Sequence, residues 1–342
     1  MSGPRILYWV FNYMPQWEAV SKEVATLLHG LQGTIDGALV SLNTKYRHLR
    51  LRGSEKRIPL PHGLALYPLL KPYASRFDIN HLFASGGERF LTPMISRRTG
   101  VLTLAKDTTT LGSFERNKDS LIRLKAIVVQ ARRDREILQQ IGIRDEALRI
   151  IRPGIPIARY SAAEGQFTIL FASSPLTADD FLSRGIYLIA HVSALLPDVR
   201  FVLVWRKRHF AKLERILADA GAENVEIING FIDNMASIYD RVHATVLPGL
   251  EHRSFIPCPR SGLESLAHGK PLLLSHLVSL AESVVASRAG IAFEPTTGGL
   301  VAAVRELQRD YPSYQANTQR YIADKFSPTT HLELYSRLYR SL

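Results

Sequence analysis

Cysteine and long apolar runs are scarce in this sequence. Its 342 residues include one cysteine, Cys258, which excludes an internal disulfide framework and a zinc site built from several cysteines. No apolar run approaches the roughly 18 residues that a membrane-spanning helix needs. The first residues carry a single early arginine before a strand-like run, so they do not resemble a secretion signal. We therefore expect a cytoplasmic protein.

Several motifs of catalysis and nucleotide binding are also absent. The sequence has no G-x-G-x-x-G after its first strand-like run and no G-x-x-x-x-G-K-[ST], which argues against a dinucleotide oxidoreductase and a P-loop NTPase. It has neither H-E-x-x-H nor G-x-S-x-G, which removes the commonest zinc proteases and serine hydrolases. Its 11 histidines do not have the spacing of metal ligands. No metal site is predicted.

Acidic residues are underrepresented in the first half of the chain. Lys and Arg total 43 and Asp and Glu total 31, which gives a formal net charge of +12. Residues 1–158 contain 24 basic and 13 acidic residues, whereas residues 159–342 contain 19 and 18. The excess indicates that the first half has an anionic partner.

Short β-rich runs alternate with helical patterns along the whole chain, which predicts an α/β fold with parallel sheets. A Pro- and Gly-containing stretch at residues 150–158 interrupts the alternation, and a second series follows. Two series joined by such a linker indicate two Rossmann-like domains. The predicted strands cover residues 6–11, 37–42, 77–84, 101–105 and 126–130, and then 167–172, 201–205, 225–228, 244–247 and 271–275.

The most informative segment is PRSGLESLAHGKPLLLS at residues 259–275. It predicts a loop, a short helix that begins near Ser261, a Gly–Lys–Pro stop and a buried strand. Ser261 and Gly262 at a helix start leave backbone N–H groups for an anion, and Glu264 can accept hydrogen bonds from sugar hydroxyls. Alternatively, Ser261 is an ordinary cap and Glu264 a carboxylate favoured by the helix dipole. Periodicity alone favours the second interpretation.

The order of features from residue 126 to residue 326 resembles the nucleotide-sugar-binding half of retaining GT-B glycosyltransferases of family 4. LESLAHGKP at residues 263–271 matches the family segment "lEAmA-x-GkP" closely. The resemblance implies two Rossmann-like domains that face each other across a cleft. They are an acceptor-side domain of residues 1–158 with a returning helix at 329–342, and a nucleotide-sugar-binding domain of residues 159–328. The other matching stretches are residues 151–155, 184–186, 197–204, 224–232 and 244–248.

The resemblance also implies roles for individual residues. Glu264 would bind the ribose of the nucleotide, because a carboxylate can accept hydrogen bonds from two neighbouring hydroxyls. Arg184 stands where the family usually has a lysine, and it would neutralise the donor diphosphate. The remaining donor-site positions are Ser261 and Gly262 beside the phosphates, and Phe231 and Ile232 at the base.

Some positions depart from the family pattern. Ile256 stands where the family has a second glutamate, which contacts the donor sugar, and Glu251 is the nearest candidate to replace it. Ser174 takes the place of a phosphate-binding arginine, for which residues 206–208 are candidate substitutes. Lys106 stands where a histidine often contacts the donor sugar.

Other candidates lie in the first domain. Asp107, at a strand end, is a candidate for hydrogen bonding to an acceptor hydroxyl. Tyr13 and Trp17 follow the first strand, where stacking on a sugar and packing at a helix start are equal alternatives. His81 lies in a strand, where a single histidine is more often structural.

Residues 45–57 form a basic run with six Lys or Arg and one carboxylate. Such a run, with leucines between the cations, fits an anionic membrane surface. A solvated loop and binding to nucleic-acid phosphates are the alternatives. Nucleic acid is disfavoured, because Tyr46 is the only aromatic residue in the run and no nucleic-acid-binding motif occurs.

The resemblance implies a hexosyltransferase-type glycosyltransferase. It would move a sugar from a UDP- or GDP-linked donor to a sugar, a lipid-linked molecule or another hydroxyl acceptor, with retention of configuration. No metal or other cofactor is expected to be obligatory. Two alternatives stay open: a catalytically silent GT-B protein that binds a nucleotide or a partner, and a sugar-nucleotide epimerase.

Overall fold

A computed structural model describes residues 3–10, 13–14, 18–41, 49–51, 54–56, 72–84, 99–105, 118–173, 175, 177–206 and 208–342. The chain divides into a first unit, Met1–Gly154 with Pro328–Leu342, and a second unit, Ile155–Ser327. Among the described residues, no helix is both long and apolar enough to cross a membrane.

The first unit is built on an eight-stranded sheet in the order β4-β3-β2-β1-β5-β6-β7-β8. All neighbouring strands are parallel except β2–β3 and β3–β4, which are antiparallel. The strands are β1 (Arg5–Val10), β2 (Asp36–Ser41), β3 (Leu49–Leu51), β4 (Ser54–Lys56), β5 (Ile79–Ala84), β6 (Thr99–Leu104), β7 (Ala126–Val129) and β8 (Leu148–Ile150). The helices are α1 (Ala19–Gly30), α2 (Lys118–Ile122), α3 (Arg132–Gln140), the 3-10 turn Asp145–Ala147 and, far later in the sequence, α12 (Pro328–Arg340).

Strand β1 shows why this sheet has a core on both faces. Its side chains alternate between the faces, so that Leu7 and Trp9 belong to one apolar cluster and Ile6, Tyr8 and Val10 to another. All five are buried. A continuous apolar run is the sequence pattern of a parallel strand that is covered on both sides.

Helix α12 packs onto the first unit through buried tyrosines. His81 of β5 is fully buried, with Nδ1 2.7 Å from the Tyr339 hydroxyl and Nε2 2.7 Å from the Thr103 hydroxyl. Burial holds the pKa of His81 well below its usual value, so the ring stays neutral. A neutral imidazole offers one donor and one acceptor, which these two hydroxyls satisfy. His81 therefore has a structural role, as the sequence favoured.

The hydrogen-bonded network continues to a buried carboxylate. The Thr103 hydroxyl lies 2.9 Å from that of Tyr335, which donates to Glu23 Oε1 at 3.5 Å. Gln130 Nε2 donates to Glu23 Oε2 at 3.0 Å. No sequence pattern indicates this network, because its members are scattered over more than 300 residues.

The second unit is built on a six-stranded sheet in the order β11-β10-β9-β12-β13-β14, with all neighbours parallel. The strands are β9 (Thr168–Phe171), β10 (Arg200–Trp205), β11 (Val225–Asn229), β12 (Ala244–Leu247), β13 (Leu272–Ser275) and β14 (Gly290–Phe293). The helices are α4 (Asp180–Ser183), α5 (Ile186–Leu195), α6 (Phe210–Asp219), α7 (Ala236–Tyr239), the 3-10 turn His252–Ser254, α8 (Arg260–Ala267), α9 (Ala281–Ala286), α10 (Thr297–Arg309) and α11 (Tyr311–Lys325).

The predicted α/β class is confirmed, and four strands went unpredicted. Strands β3, β4 and β8 have three residues each, too few to show an alternating pattern. Strand β14 has four and begins at a glycine, which is a weak strand former. Strands β3 and β4 lie within the basic run 45–57 and extend the sheet beyond β2; the rest of that run lies outside the described residues.

The two units differ sharply in charge. The first contains 26 basic and 14 acidic residues, and the second contains 17 of each. The whole formal excess of +12 therefore belongs to the first unit.

We expect the Tyr339→Phe substitution to lower the free energy of unfolding by about 1–3 kcal/mol, because it leaves a buried His81 nitrogen without its partner. The measurement is urea unfolding followed by circular dichroism. Tyr187→Phe removes the same hydroxyl from a ring that is 37% exposed and should change the unfolding free energy by less than about 0.5 kcal/mol. Equal effects of the two substitutions would contradict the role assigned to the His81 network.

Candidate functional site

The candidate site lies at the carboxyl edge of the sheet in the second unit. The strand order reverses between β9 and β12, and open α/β sheets bind ligands outside the carboxyl ends of their strands at such a reversal. Residues 172–173 follow β9, residue 206 follows β10, residues 230–232 follow β11 and residues 248–255 follow β12. Of the side chains that the sequence singled out, these segments contain Arg206, Phe231, Ile232 and Glu251.

The side chain of Arg184 reaches the carboxyl end of β9. Arg184 follows α4 directly, and its Nη1 donates hydrogen bonds to the Ser173 carbonyl at 3.1 Å and to the Ser173 hydroxyl at 2.7 Å. Its guanidinium carbon is 5.8 Å from the centre of the Phe255 ring. Burial lowers the pKa of Arg184, and Asp180 opposes this effect while the nearby Arg206 adds to it. A guanidinium remains charged in such surroundings, so a fixed cation is present at the strand end.

The turn that carries Arg184 packs closely against the loop after β12. Gly185 has a left-handed backbone with φ of 70°, and a Cβ at this position would lie 2.2 Å from the Pro248 carbonyl oxygen. The Ser254 hydroxyl donates to the Ser183 carbonyl at 2.6 Å. The position of Arg184 therefore depends on a glycine that admits the neighbouring backbone.

Glu251 lies in the loop after β12 and already has local partners. Its side chain accepts a hydrogen bond from the Ser254 backbone N–H, and the Ser254 hydroxyl accepts one from the Glu251 backbone N–H at 3.0 Å. Arg253 donates to its Oε2. The Glu251 side chain is 43% exposed. Ile256, which stands where the family has its second glutamate, is half-buried and has no carboxylate.

Glu264 is paired with Arg260, a residue that the sequence reasoning missed. The two side chains lie one turn apart on α8, with Arg260 Nε 3.0 Å from Glu264 Oε1. They are 14% and 20% exposed. The spacing of four residues between opposite charges was the available signal. Arg260 balances the charge of the Glu264 carboxylate and fixes its orientation.

Helix α8 begins at the carboxyl edge of the sheet. Pro259 before it provides no side-chain cap to the first backbone N–H groups. Gly262 is buried, and a Cβ there would lie 2.9 Å from Leu247 Cδ1, so this glycine brings the helix close to β12. The Ser261 carbonyl accepts a hydrogen bond from the Tyr239 hydroxyl at 3.0 Å.

Phe231 and Ile232 follow β11 and differ in burial. Phe231 is 55% exposed, whereas Ile232 is half-buried and packs on the apolar cluster that includes Leu170 and Ile238. Phe231 therefore places an exposed aromatic ring at this edge of the sheet.

The structure thus brings part of the predicted site together. Arg184, Glu251, Glu264, Ser261, Gly262, Phe231 and Ile232 all belong to the second unit, at or next to its carboxyl edge. Lys106, Asp107, Trp17 and Ser174 lie outside the described residues. Of the candidate substitutes for a phosphate-binding arginine, Arg206 is exposed just after β10. The residues that the structure describes contain no group of three or more His, Cys, Asp or Glu able to hold a metal ion.

We expect Gly185→Ala to destabilise the protein by roughly 1–3 kcal/mol more than Gly221→Ala. Both glycines have left-handed backbones, with φ of 70° and 67°, but a Cβ at Gly221 meets no atom within 4 Å. Gly221→Ala should therefore show only the backbone cost of about 1–2 kcal/mol. Urea unfolding of both variants measures the difference, and equal losses would mean that the close approach to Pro248 is not a constraint.

Part of the second unit is similar to a known protein family. Residues 168–310 match the family model described as glycosyl transferases group 1. This segment covers less than half of the chain and most of the second unit. No curated protein sequence matches the chain significantly.

Solved structures with the same fold cover the whole chain. A crystal structure of the Anabaena protein HepE in complex with UDP and glucose is 14% identical, with a TM-score of 0.78 over 99% of this chain and 100% of that one. Sucrose-phosphate synthase from Thermosynechococcus elongatus is 14% identical, with a TM-score of 0.77 over 99% and 98%. The lipopolysaccharide outer core galactosyltransferase WaaB is 11% identical, with a TM-score of 0.71 over 99% and 100%.

At these identities the likeness shows the fold. The predicted GT-B architecture of two Rossmann-like domains is confirmed. Residues 168–310 match the glycosyl transferases group 1 family model, and the chain has the GT-B fold.

Proposed function

We propose that the protein transfers a sugar from a nucleotide diphosphate sugar to a hydroxyl acceptor with retention of configuration. The observation that carries the proposal is the half-buried Arg184, fixed by Ser173 at the carboxyl end of β9, in a domain of a glycosyltransferase family. HepE was crystallised with UDP and with UDP-glucose, which makes a UDP-linked sugar the first donor to test.

Arg184 is suited to the departing diphosphate. A guanidinium can donate two parallel hydrogen bonds to phosphate oxygens, and burial strengthens that interaction because water competes less. Arg206 adds a second cation close enough to shift the pKa of Arg184. Two cations beside the carboxyl ends of neighbouring strands suit a ligand with two phosphates.

Helix α8 supplies the rest of the donor site in this proposal. The Glu264 carboxylate, oriented by Arg260, accepts hydrogen bonds from the ribose hydroxyls. The first turn around Ser261 and Gly262 offers backbone N–H groups to a phosphate. Phe231 and Ile232 border the base, and the exposed Phe231 ring contacts it.

The chemistry needs no nucleophile from the protein. The bond between the anomeric carbon and the diphosphate oxygen breaks as the acceptor oxygen bonds to the same carbon, and the acceptor proton leaves with the diphosphate. Catalysis then depends on positioning and on stabilising the charge of the leaving group, which Arg184 and α8 supply without a divalent metal. Lys106 near the donor sugar and Asp107 at the acceptor hydroxyl complete the proposal, on the basis of the sequence resemblance.

A catalytically silent protein that binds a nucleotide is the second candidate. It is favoured by the loop after β12, where Glu251 is engaged by Ser254 and Arg253 and where Ile256 occupies the position of the family's sugar-contacting glutamate. Binding of a nucleotide without transfer or hydrolysis of its sugar donors would support this candidate.

Calorimetry with UDP, GDP and ADP tests the donor site. We expect at least one of them to bind, and Glu264→Ala to weaken its affinity roughly tenfold or more through loss of the ribose contact. Glu223→Ala, which removes an exposed carboxylate from the same unit, is the matched control and should leave affinity unchanged. If none of the three nucleotides binds, or if Glu264→Ala binds normally, the donor assignment is wrong.

The same preparation tests the reaction. With the nucleotide identified, its sugar donors are screened for hydrolysis and transfer in the presence of EDTA, and the anomeric configuration of the product is read by NMR. The rate should change less than about twofold with EDTA, and an inverted product would contradict the retaining mechanism.

We also propose that the first unit contacts an anionic membrane surface, since it carries the entire net charge of the protein. Neutralising the run at residues 45–57 should reduce binding to anionic liposomes at least tenfold, because each cation near such a surface contributes about 1 kcal/mol. Neutral liposomes are the control. Equal binding of the wild type and the variant would mean that the run is a solvated segment. The substitutions to glutamine are at Lys45, Arg47, Arg50, Arg52, Lys56 and Arg57.

A further inference from the structure

A second concave surface lies between α9 and α11 of the second unit. It encloses about 320 Å³. The lining side chains that can contact a polar ligand are Ser287, Arg288, Asn317, Arg320, Asp324 and Lys325. We call it the α9–α11 pocket.

The α9–α11 pocket is separate from the candidate donor site. Arg288 precedes β14, which begins at Gly290, so this lining residue lies at the amino edge of the sheet. The donor-site residues lie at the carboxyl edge, where Arg184 and the start of α8 are found. The two sites therefore lie at opposite edges of one sheet.

The lining is cationic in a unit that has no net charge. The lining contains three cations, Arg288, Arg320 and Lys325, and one carboxylate, that of Asp324. Arg288 is also paired with Asp310, which lies outside the lining. Arg320 and Lys325 are exposed, and the hydrogen bond that Arg320 makes goes to the neutral Asn317 side chain. The positive charge of the pocket is therefore only partly compensated by its own lining.

Arg288 is held in place by its surroundings. Its Nη2 donates to Asp310 at 3.0 Å and to Ser313 at 3.1 Å, and its guanidinium carbon lies 5.5 Å from the centre of the Tyr314 ring. Its backbone has a left-handed φ of 49°, which costs a non-glycine residue roughly 1–2 kcal/mol. This conformation belongs to the Schellman motif that ends α9, in which the Arg288 N–H donates to the Val285 carbonyl at 2.9 Å and the Ala289 N–H to the Val284 carbonyl at 3.0 Å.

We propose that the α9–α11 pocket binds a small phosphomonoester that carries hydroxyl groups, of the size of a hexose phosphate. The three cations contact the phosphate oxygens through charge-assisted hydrogen bonds. Asp324 accepts hydrogen bonds from hydroxyls, and Asn317 and Ser287 can donate or accept them. The volume is at the small end of ligand pockets, which run from about 300 to 1,000 Å³.

A nucleotide fits this pocket poorly. The aromatic ring in its lining is Tyr321, which is 2% exposed and has its hydroxyl 2.5 Å from that of Ser283. The neighbouring Tyr314 ring is already covered by Arg288. A base would find no exposed ring to stack on, whereas a sugar ring needs none.

The test is calorimetry of the full chain with glucose 6-phosphate, glucose and inorganic phosphate at constant ionic strength. The donor site is first saturated with the nucleotide that binds there; if no nucleotide binds, none is added. We expect glucose 6-phosphate to bind more tightly than inorganic phosphate, and glucose not to bind. Arg320→Gln with Lys325→Gln should weaken binding of glucose 6-phosphate roughly tenfold or more. The matched control, Arg215→Gln with Arg123→Gln, removes two exposed cations elsewhere and should leave it unchanged.

Three results would overturn the proposal. The first is that glucose 6-phosphate does not bind at about 10 mM. The second is that the pocket variant and the control variant lose the same affinity for it. The third is that Arg184→Gln lowers the affinity for glucose 6-phosphate while the pocket substitutions do not. Because the assay does not require transferase activity, its outcome is independent of the function proposed above.

Discussion

The arrangement of the candidate site depends on one constraint, the close approach of two backbone segments beside the reversal in strand order. Parallel strands end at a common edge, and the reversal between β9 and β12 leaves room there that a helix would otherwise fill. Gly185 and the Pro248 carbonyl close one side of that space, and Gly262 lets α8 reach β12 on the other. The positions of Arg184 and Glu264 follow from these two glycine contacts, because each charged residue lies within two positions of one.

Charge is divided between the units in a way that matches a division of labour. The second unit is neutral as a whole, and its cations are local: Arg184 and Arg206 at one edge of the sheet and the α9–α11 pocket at the other. The first unit carries the net charge, which acts over longer distances and is sensitive to salt. Local cations suit the recognition of a small anion, whereas a diffuse excess suits attraction to an extended anionic surface.

The sequence was most informative where several residues carry one signal. Strands such as β1 and β10 were predicted because buried parallel strands are continuous apolar runs. In contrast, β8 has only three residues and β14 begins at a glycine. Glu264 was found through its motif, but its partner Arg260 was not, because the motif says nothing about the residue one turn earlier. The capping of the short turn by Glu251 and the buried contacts of His81 depend on tertiary packing, which one sequence does not reveal.

The returning helix α12 has a consequence for the order of folding. The hydroxyls of Tyr335 and Tyr339 complete the buried network around His81, yet they follow the entire second unit in the sequence. During synthesis the second unit, which is one continuous segment, can therefore finish folding first, while the sheet of the earlier unit waits with an uncovered face and an unsatisfied histidine. The unit that begins first in the sequence therefore completes its fold last, and a chain stopped short of α12 exposes apolar surface to chaperones and proteases.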